Sequence, residues 1–313
     1  MNRDSRIEIL RCLFMFGICL LHAITQGGHC SRWIDNLLSP SVTGFVVISA
    51  WFGVKFRPSK VLRLAGVAAW CSICVAAYFR KNIALGCFQT YWFLWAYVLM
   101  MLFAPVIDSA RLSLKVVLPL LLGVFVWGFA CDMPIGTSIL PHTAGLTALS
   151  GITFVGIYVA VRAFKQSKYV DCLTTKQLIW IAALSAIICE CGFYKHNSPF
   201  SLSLALSLVL IMQRMPPCLP RYIGEAALLL SPSLFAVYMY HTGAGFNVLK
   251  SIERYLVSDA GLSVYITHVV TALFVFWGCV AIDIPRRVLC RAAKPVIDWL
   301  CGWIDAKYEK FVQ

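Results

Sequence analysis

Charged side chains are scarce in this sequence, and acidic ones are the scarcest. Only 13% of the 313 residues are charged and 60% are hydrophobic, with 14 acidic residues against 27 lysines and arginines. A soluble globular domain carries about 25% charged residues, so the composition excludes that class and indicates a membrane protein. A cleavable signal peptide with a small-residue cleavage site is also missing. We therefore expect the first apolar segment to be retained as a membrane span.

Long polar stretches are lacking as well, which leaves no room for a soluble domain between the spans. A helix that crosses the hydrocarbon core needs about 20 residues, with a range of about 17–25, so the segment at 199–213 is short for a span. The sequence predicts an all-α fold, a polytopic bundle of about ten transmembrane helices within residues 1–287. Its ten apolar segments are 8–26, 37–54, 61–79, 86–107, 113–131, 144–163, 177–193, 199–213, 226–249 and 260–284.

The net charge of +13 has an uneven distribution along the chain. If the N-terminus is cytoplasmic, 21 of the 27 lysines and arginines lie in segments on the cytoplasmic side of the bilayer. Membrane proteins show this bias in general, because cytoplasmic loops are enriched in cations. The placement predicts an N-in/C-in topology with an even number of spans. It also accounts for the basic composition without a nucleic-acid partner.

Metal-binding patterns are missing, although the chain has 14 cysteines. Cys71 and Cys74 form a CxxC pair, and Cys189 and Cys191 form a CxC pair. Neither pair is accompanied by a second pair or a histidine at the spacing of a zinc site. Most cysteines lie within apolar segments, where they pack as small hydrophobic residues. We expect no metal in this protein.

Residues 288–313 differ in pattern from the apolar segments before them. After Pro295 the apolar residues recur mostly at helical spacing, with Asp298, Asp305 and two lysines off that stripe. The pattern predicts a cytoplasmic amphipathic helix that lies on the inner leaflet. Contact with a partner protein is the alternative interpretation.

The first apolar segment contains two ionisable residues, Arg11 and His22. At about 1.5 Å rise and 3.6 residues per turn, eleven residues make almost three turns. Both side chains then lie on one face of the helix, roughly 16 Å apart along its axis. An ionisable residue within a span is costly to keep, so it marks a candidate functional site. A histidine that is satisfied by a neighbouring helix is the alternative.

Four cations follow the second apolar segment within nine residues: Lys55, Arg57, Lys60 and Arg63. Positive-inside topology by itself explains such a cluster. Lysine and arginine in this arrangement can also bind phosphate groups, and arginine does so in a bidentate manner.

The ninth apolar segment contains Tyr238 and His241. Under the predicted topology His241 lies toward the outer half of the membrane, at a depth similar to that of His22. The two histidines could therefore share one site. Ser49, within the small-residue run from Gly44 to Gly53, is a further polar candidate, although small residues there also serve close helix packing.

Several of these features occur in one order along the chain: Arg11 and His22 with ten residues between them, Gly44 to Gly53, Tyr91-Trp92-Phe93-Leu94, Asn197-Ser198-Pro199, and Phe235, Tyr238 and His241 at intervals of three. Together they resemble the acyltransferase-3 family of bacterial membrane acyltransferases, over about residues 6 to 287. The resemblance implies about ten transmembrane helices, an acyl-coenzyme A donor that is usually acetyl-coenzyme A, and a hydroxyl acceptor on a surface or exported carbohydrate or glycolipid. It places Arg11 and His22 at the essential positions, and His241 at the family's late histidine.

The resemblance and the spacing together suggest a mechanism. Arg11, with some of Lys55, Arg57, Lys60 and Arg63, would hold the donor's phosphates at the inner face. The thioester would then lie beside His22, which acts either as general base on the acceptor hydroxyl or as a covalent acyl carrier. The candidates for stabilising the oxyanion are Ser49, Tyr238 and His241.

A transporter or exporter of a glycan or metabolite is the alternative function class. Histidines within spans would suit a proton-coupled carrier. The sequence shows no inverted repeat and no pair of broken helices in corresponding halves, which such a carrier would favour. A non-catalytic scaffold would leave the alignment of Arg11 and His22 unexplained.

Overall fold

A computed structural model describes residues 4–26, 36–79, 92–132, 142–191, 198–216, 220–243, 255 and 263–312. These residues form helices and no strands. The all-α prediction is therefore confirmed for this part of the chain. Four of the predicted segments extend into residues outside the described ranges: 86–107, 177–193, 226–249 and 260–284.

The helices follow the predicted apolar segments closely. Their bounds are α1 (Ser5–Gln26), α2 (Pro40–Phe52), α3 (Pro58–Phe79), α4 (Trp92–Ser109), α5 (Leu114–Asp132), α6 (His142–Gln166), α7 (Tyr169–Cys172), α8 (Thr175–Glu190), α9 (Pro199–Arg214), α10 (Arg221–Leu230), α11 (Leu234–Gly243), α12 (Val264–Ala292) and α13 (Lys294–Val312). The ninth segment is divided: a 3₁₀ turn, Ser231–Ser233, separates α10 from α11. Pro232 lies in that turn and has no backbone N–H to continue an α-helix, which explains the break.

Two helix starts show why these boundaries lie where they do. The hydroxyl of Ser198 accepts a hydrogen bond from the Phe200 backbone N–H, and Pro199 occupies the first turn of α9. Thr174 and Gln177 form a capping box at the start of α8. Each cap satisfies backbone donors that have no partner within the helix.

Five described segments are long and apolar enough to cross a membrane: Ser5–Thr25, Pro58–Ala77, Trp92–Ser109, Arg221–His241 and Val264–Ala292. Large apolar side chains are exposed along several helices, for example Ile73 on α3, Val106 on α4 and Phe274 on α12. A soluble protein rarely exposes apolar surface so extensively, whereas lipid covers it in a membrane. These features indicate a membrane protein. The number of ten spans and the N-in/C-in orientation stay predictions.

The chain divides into two compact units. The first unit comprises Met1–Val54 and Trp92–Ser231, and the second comprises Lys55–Tyr91 and Pro232–Gln313. In the first unit α1 packs against α2, α9 and α10, and α6 packs against α2, α4 and α5. In the second unit α11 lies between α3 and α12, and α13 packs along α3.

Helices α1 and α2 approach closely because small residues lie at their contact. A Cβ atom added at Gly17 would lie 2.6 Å from the Ser41 hydroxyl oxygen, and one added at Gly44 would overlap the ring of Phe14. The small residues from Gly44 to Gly53 were expected to serve close helix packing, and the contact at Gly44 agrees with that expectation. The two contacts also define the register, since Phe14 lies beside Gly44 and Gly17 beside Ser41.

We expect Gly44→Ala to destabilise the first unit by about 1–3 kcal/mol, because the added methyl group must displace the Phe14 ring. Thermal unfolding of the purified protein in detergent measures the loss. Gly66→Ala on α3 is the matched control, because nothing lies within 4 Å of its added Cβ atom. Equal unfolding temperatures for the two variants would contradict the close approach of α1 and α2.

A polar network terminates α2 where the ends of α4 and α6 meet it. Gly53 adopts φ +81°, a left-handed conformation that favours glycine. The next backbone N–H, of Val54, donates to the Tyr158 hydroxyl at 3.0 Å. That hydroxyl donates to Asp108, at 2.9 Å from one carboxylate oxygen, and Arg162 pairs with the other at 2.7 Å. The network holds α2, α4 and α6 together toward their C-terminal ends.

The predicted tail segment forms the helix α13, which packs against α3. It runs antiparallel to the start of α3, because Tyr308 stacks edge-on against Phe56 at the beginning and Asp298 pairs with Arg63 further along. The bond from Arg63 lowers the pKa of the Asp298 carboxyl below its ordinary value. A helix that lies flat on the leaflet would cross a spanning helix at a steep angle, whereas α13 runs alongside α3. The place of α13 on the inner leaflet stays a prediction.

Candidate functional site

The first helix carries Arg11 and His22 without interruption. Helix α1 runs unbroken from Ser5 to Gln26, so the two residues keep the spacing of a regular helix. They therefore share one stripe, roughly 16 Å apart along the axis, as predicted. His22 is partly exposed and lies in the last turns of α1.

A buried carboxylate holds Arg11 in place. The guanidinium Nη1 of Arg11 lies 2.8 Å from Oε1 of Glu8, one turn earlier on α1. Glu8 is only 3% exposed, and its second oxygen accepts a hydrogen bond from the Ser231 hydroxyl. Glu8 also lies in the first turn of α1, where the helix dipole favours a negative charge. The break between α10 and α11 thus provides a hydroxyl that fixes Glu8, and Glu8 in turn orients Arg11.

The same end of the first unit contains Tyr97 and Ser49. The Tyr97 hydroxyl lies 3.0 Å from the Ser49 hydroxyl and within electrostatic range of Arg11. Tyr97 stacks on Phe93 of α4 with ring centroids 5.9 Å apart, and Phe93 packs edge-on against Phe154 of α6. This aromatic packing positions the Tyr97 hydroxyl next to Ser49.

Ser49, one of the three candidates for stabilising the oxyanion, lies far from His22 along α1 and α2. The antiparallel register that pairs Phe14 with Gly44 and Gly17 with Ser41 places Ser49 level with Ile9 on α1. Thirteen residues along the helix then separate that level from His22, which amounts to roughly 20 Å. Ser49 also donates to the carbonyl oxygen of Phe45 at 2.9 Å. It therefore belongs to the Arg11 end and cannot stabilise an oxyanion beside His22.

The predicted cationic cluster lies in the second unit. Lys55 and Arg57 are exposed ahead of α3, and the Lys60 ammonium donates to the Lys55 carbonyl oxygen at 3.1 Å. Arg63 instead bonds to α13, with Nη2 at 2.9 Å from Asp298 and Nε at 3.4 Å from the Cys301 sulfur. A phosphate would have to compete with Asp298 for Arg63. Lys55, Arg57 and Lys60 are thus better placed than Arg63 to bind an anion.

Tyr238 and His241 lie together on α11, also in the second unit. Their ring centroids are 5.4 Å apart, and both side chains are buried. Nδ1 of His241 lies 3.2 Å from the Val237 carbonyl oxygen, which can only accept a hydrogen bond. The contact therefore places the ring proton on Nδ1 and the lone pair on Nε2. His22 belongs to the other unit, so the site shared by the two histidines stays a prediction.

No role was predicted for Glu8, Ser231 or Tyr97. Glu8 had a local signal, because an acid three residues before an arginine lies on the same helix face. Ser231 had none, since it contacts Glu8 across 223 residues of chain. Within the described part of the chain, no three histidine, cysteine or acidic side chains lie close enough to hold a metal ion.

No family model matches this chain, and neither a curated protein nor a solved structure matches it. The resemblance to the acyltransferase-3 family therefore remains an interpretation of the motifs.

Proposed function

We propose that this protein is a bacterial inner-membrane O-acyltransferase that moves an acyl group, most simply acetyl, from cytoplasmic acyl-coenzyme A to a hydroxyl of a cell-surface or exported glycan. The single observation that supports it best is the unbroken helix α1, with Arg11 anchored by Glu8 near one end and His22 on the same stripe almost three turns further on. That span is of the order of an extended pantetheine arm.

At the donor end, Arg11 would bind phosphate. Its guanidinium has five N–H donors, and among the described contacts one of them donates a hydrogen bond to Glu8. The side chain is 30% exposed, so a ligand can reach it. Because Glu8 is buried and fixed by Ser231, the planar fork of Arg11 is already oriented before the donor arrives, which reduces the entropy lost on binding.

At the acyl end, His22 has two possible roles that share one geometry. As general base it removes the proton of the acceptor hydroxyl while the hydroxyl oxygen attacks the thioester carbonyl, and the coenzyme A thiolate leaves and takes up the proton. As nucleophile its ring nitrogen attacks first, coenzyme A leaves as the thiol, and the acyl-imidazole is then attacked by the hydroxyl. Tyr238 and His241 lie in the second unit, and their part as oxyanion donors stays a prediction. His241 would donate from Nε2 only in its protonated form, because the proton of the neutral ring lies on Nδ1.

We expect Ser49→Ala to leave the rate of transfer at saturating donor within about threefold of wild type, because its hydroxyl lies at the Arg11 end, whereas a lost oxyanion donor costs about 10²–10³-fold. Transfer measured over a range of acetyl-coenzyme A concentrations separates the saturated rate from the donor affinity. A hundredfold loss in the saturated rate would contradict the register of α1 and α2.

Transfer of a radiolabelled acetyl group from acetyl-coenzyme A, measured in membrane vesicles that contain this protein, tests the proposed activity. Vesicles without the protein are the control, and cell-surface glycan from a strain that lacks the gene is offered as acceptor. Label in the glycan supports the acyltransferase. Export of the glycan without label would instead support a carrier, for which the break between α10 and α11 beside Glu8 is the favouring observation.

A further inference from the structure

Two cations of α6, Arg162 and Lys165, lie beside the end of α2 in the first unit. They are three residues apart on the helix, so their side chains share one face of α6. The Lys165 ammonium donates to the Trp51 carbonyl oxygen at 2.6 Å and lies over the Trp51 ring, 5.1 Å from its centroid. Both cations therefore face the last turn of α2, which ends at Phe52.

The guanidinium of Arg162 is oriented by a carboxylate and keeps donors for a ligand. Its Nε lies 2.7 Å from Oδ1 of Asp108, and the side chain is 18% exposed. Among the described residues, neither Nη1 nor Nη2 of Arg162 makes a hydrogen bond. A Cβ atom at Gly53 would lie 3.7 Å from Nη1, so the glycine leaves that side of the guanidinium uncovered.

Positive charge exceeds negative charge at this place. Asp108 provides one carboxylate against the two cations, and its electrostatic effect on Lys165 is smaller than that of Arg162. Burial and the positive charge of Arg162 lower the pKa of Lys165 below its ordinary value. An anion bound between the two cations would offset their repulsion.

Arg111 adds a third cation at the end of α6. Gln166 accepts a hydrogen bond from the Leu112 backbone N–H at 3.0 Å and donates to the Ala110 carbonyl oxygen at 3.4 Å. These two contacts hold the chain on both sides of Arg111 against the last residue of α6. The Arg111 side chain itself is exposed.

The position of this basic group can be compared with that of Arg11 through the register of α1 and α2. The contacts of Phe14 with Gly44 and of Gly17 with Ser41 place Arg11 level with residue 47 on α2. Gly53 is six residues further along α2, roughly 9 Å along the axis, and on the side of Arg11 away from His22. The order along the first unit is therefore His22, Arg11, and then Arg162 with Lys165.

This order matches the order of groups in acyl-coenzyme A. The thioester ends the pantetheine arm, the diphosphate joins that arm to the nucleotide, and the 3′-phosphate lies on the ribose beyond it. We propose that Arg162 and Lys165 bind the 3′-phosphate of the donor, an inference that rests on the proposed function. Arginine can hold two phosphate oxygens at once, and lysine contributes a compact charge beside it.

Equilibrium binding of coenzyme A and of 3′-dephospho-coenzyme A to the purified full-length protein in detergent tests the assignment. We expect wild type to bind coenzyme A at least about tenfold more tightly, because the 3′-phosphate makes charge-assisted hydrogen bonds. Lys165→Gln, and separately Arg162→Gln/Asp108→Asn, should reduce that preference to within about threefold while 3′-dephospho-coenzyme A binds as it does to wild type. Asp108 is changed together with Arg162 so that no carboxylate loses its cation.

Lys176→Gln is the matched control, because it removes one exposed cation from α8 in the same unit and should keep the wild-type preference. Equal affinity of wild type for the two compounds, or a preference that the variants retain, overturns the assignment and leaves the proposed function standing. So does a variant that loses both affinities together with its unfolding temperature, since that pattern indicates a structural role. Wild type that binds neither compound would contradict the proposed function and this inference with it.

Discussion

Replacing His22 with alanine is expected to abolish acyl transfer while the protein still inserts in the membrane and binds acyl-coenzyme A. His22 lies almost three turns from Arg11 on α1, so removing its imidazole leaves the proposed phosphate contact intact. Loss of a general base lowers the rate by about 10²–10⁴-fold, and loss of a covalent acyl carrier removes the pathway altogether. Transfer of radiolabelled acetyl groups gives the rate, and equilibrium binding of labelled acetyl-coenzyme A gives the affinity.

His268→Ala is the control for this experiment. His268 is likewise a histidine within an apolar helix, but it is buried on α12 and has no place in the proposed mechanism. That variant should keep its transfer activity if it folds, which its elution and unfolding temperature report. Normal product yield from His22→Ala would remove His22 from the mechanism. Loss of donor binding together with transfer would instead show that His22 acts mainly on the structure of α1.

Replacing Arg11 with alanine should destabilise the protein by about 3 kcal/mol, because it leaves the carboxylate of Glu8 buried without its cation. Adding Glu8→Gln to Arg11→Ala should recover most of that loss, to within about 1 kcal/mol of wild type, since the neutral amide no longer requires a counter-charge. The Ser231 hydroxyl can still donate to the amide oxygen. Thermal unfolding of the purified protein and its variants in detergent measures both changes.

The double variant also separates stability from function. It should fold nearly as well as wild type and yet bind acetyl-coenzyme A poorly, because the guanidinium is absent. Equal destabilisation by Arg11→Ala and by the double variant would mean that the buried carboxylate of Glu8 is not the cause of the lost stability. Unchanged donor binding in the folded double variant would contradict the role proposed for Arg11 while leaving the ion pair itself established.

The helices could be predicted from sequence because their cause is local. Long apolar runs bounded by prolines and polar caps place α1, α8 and α9 within a few residues of the predicted segments. The spacing of Arg11 and His22 needed only the regularity of one helix. The division of the ninth segment was not predicted, because the segment was identified by its apolar residues alone. Pro232, at which it breaks, lies within that apolar run.

The contacts between helices could not be read in the same way. Ser49 was placed with His22 because both are polar groups within spans, but the packing of Gly44 against Phe14 fixes a register that puts it near Arg11. The pairing of Arg63 with Asp298 is similar, since the two residues are 235 positions apart. Because Arg63 bonds to Asp298 on α13, it is less available to bind an anion than the other three cations of the predicted cluster.

Composition and spacing alone thus determined that this is a helical, membrane-type chain with an arginine and a histidine on one stripe of its first helix, because hydropathy and helical period act over a few turns. Tertiary structure decided that Glu8 and Ser231 hold that arginine, that Ser49 lies at its end and not at the histidine, and that Arg162 and Lys165 lie beside the end of α2. Those three outcomes depend on which side chains fit together across helices, and steric fit between distant segments leaves no periodic trace in a single sequence.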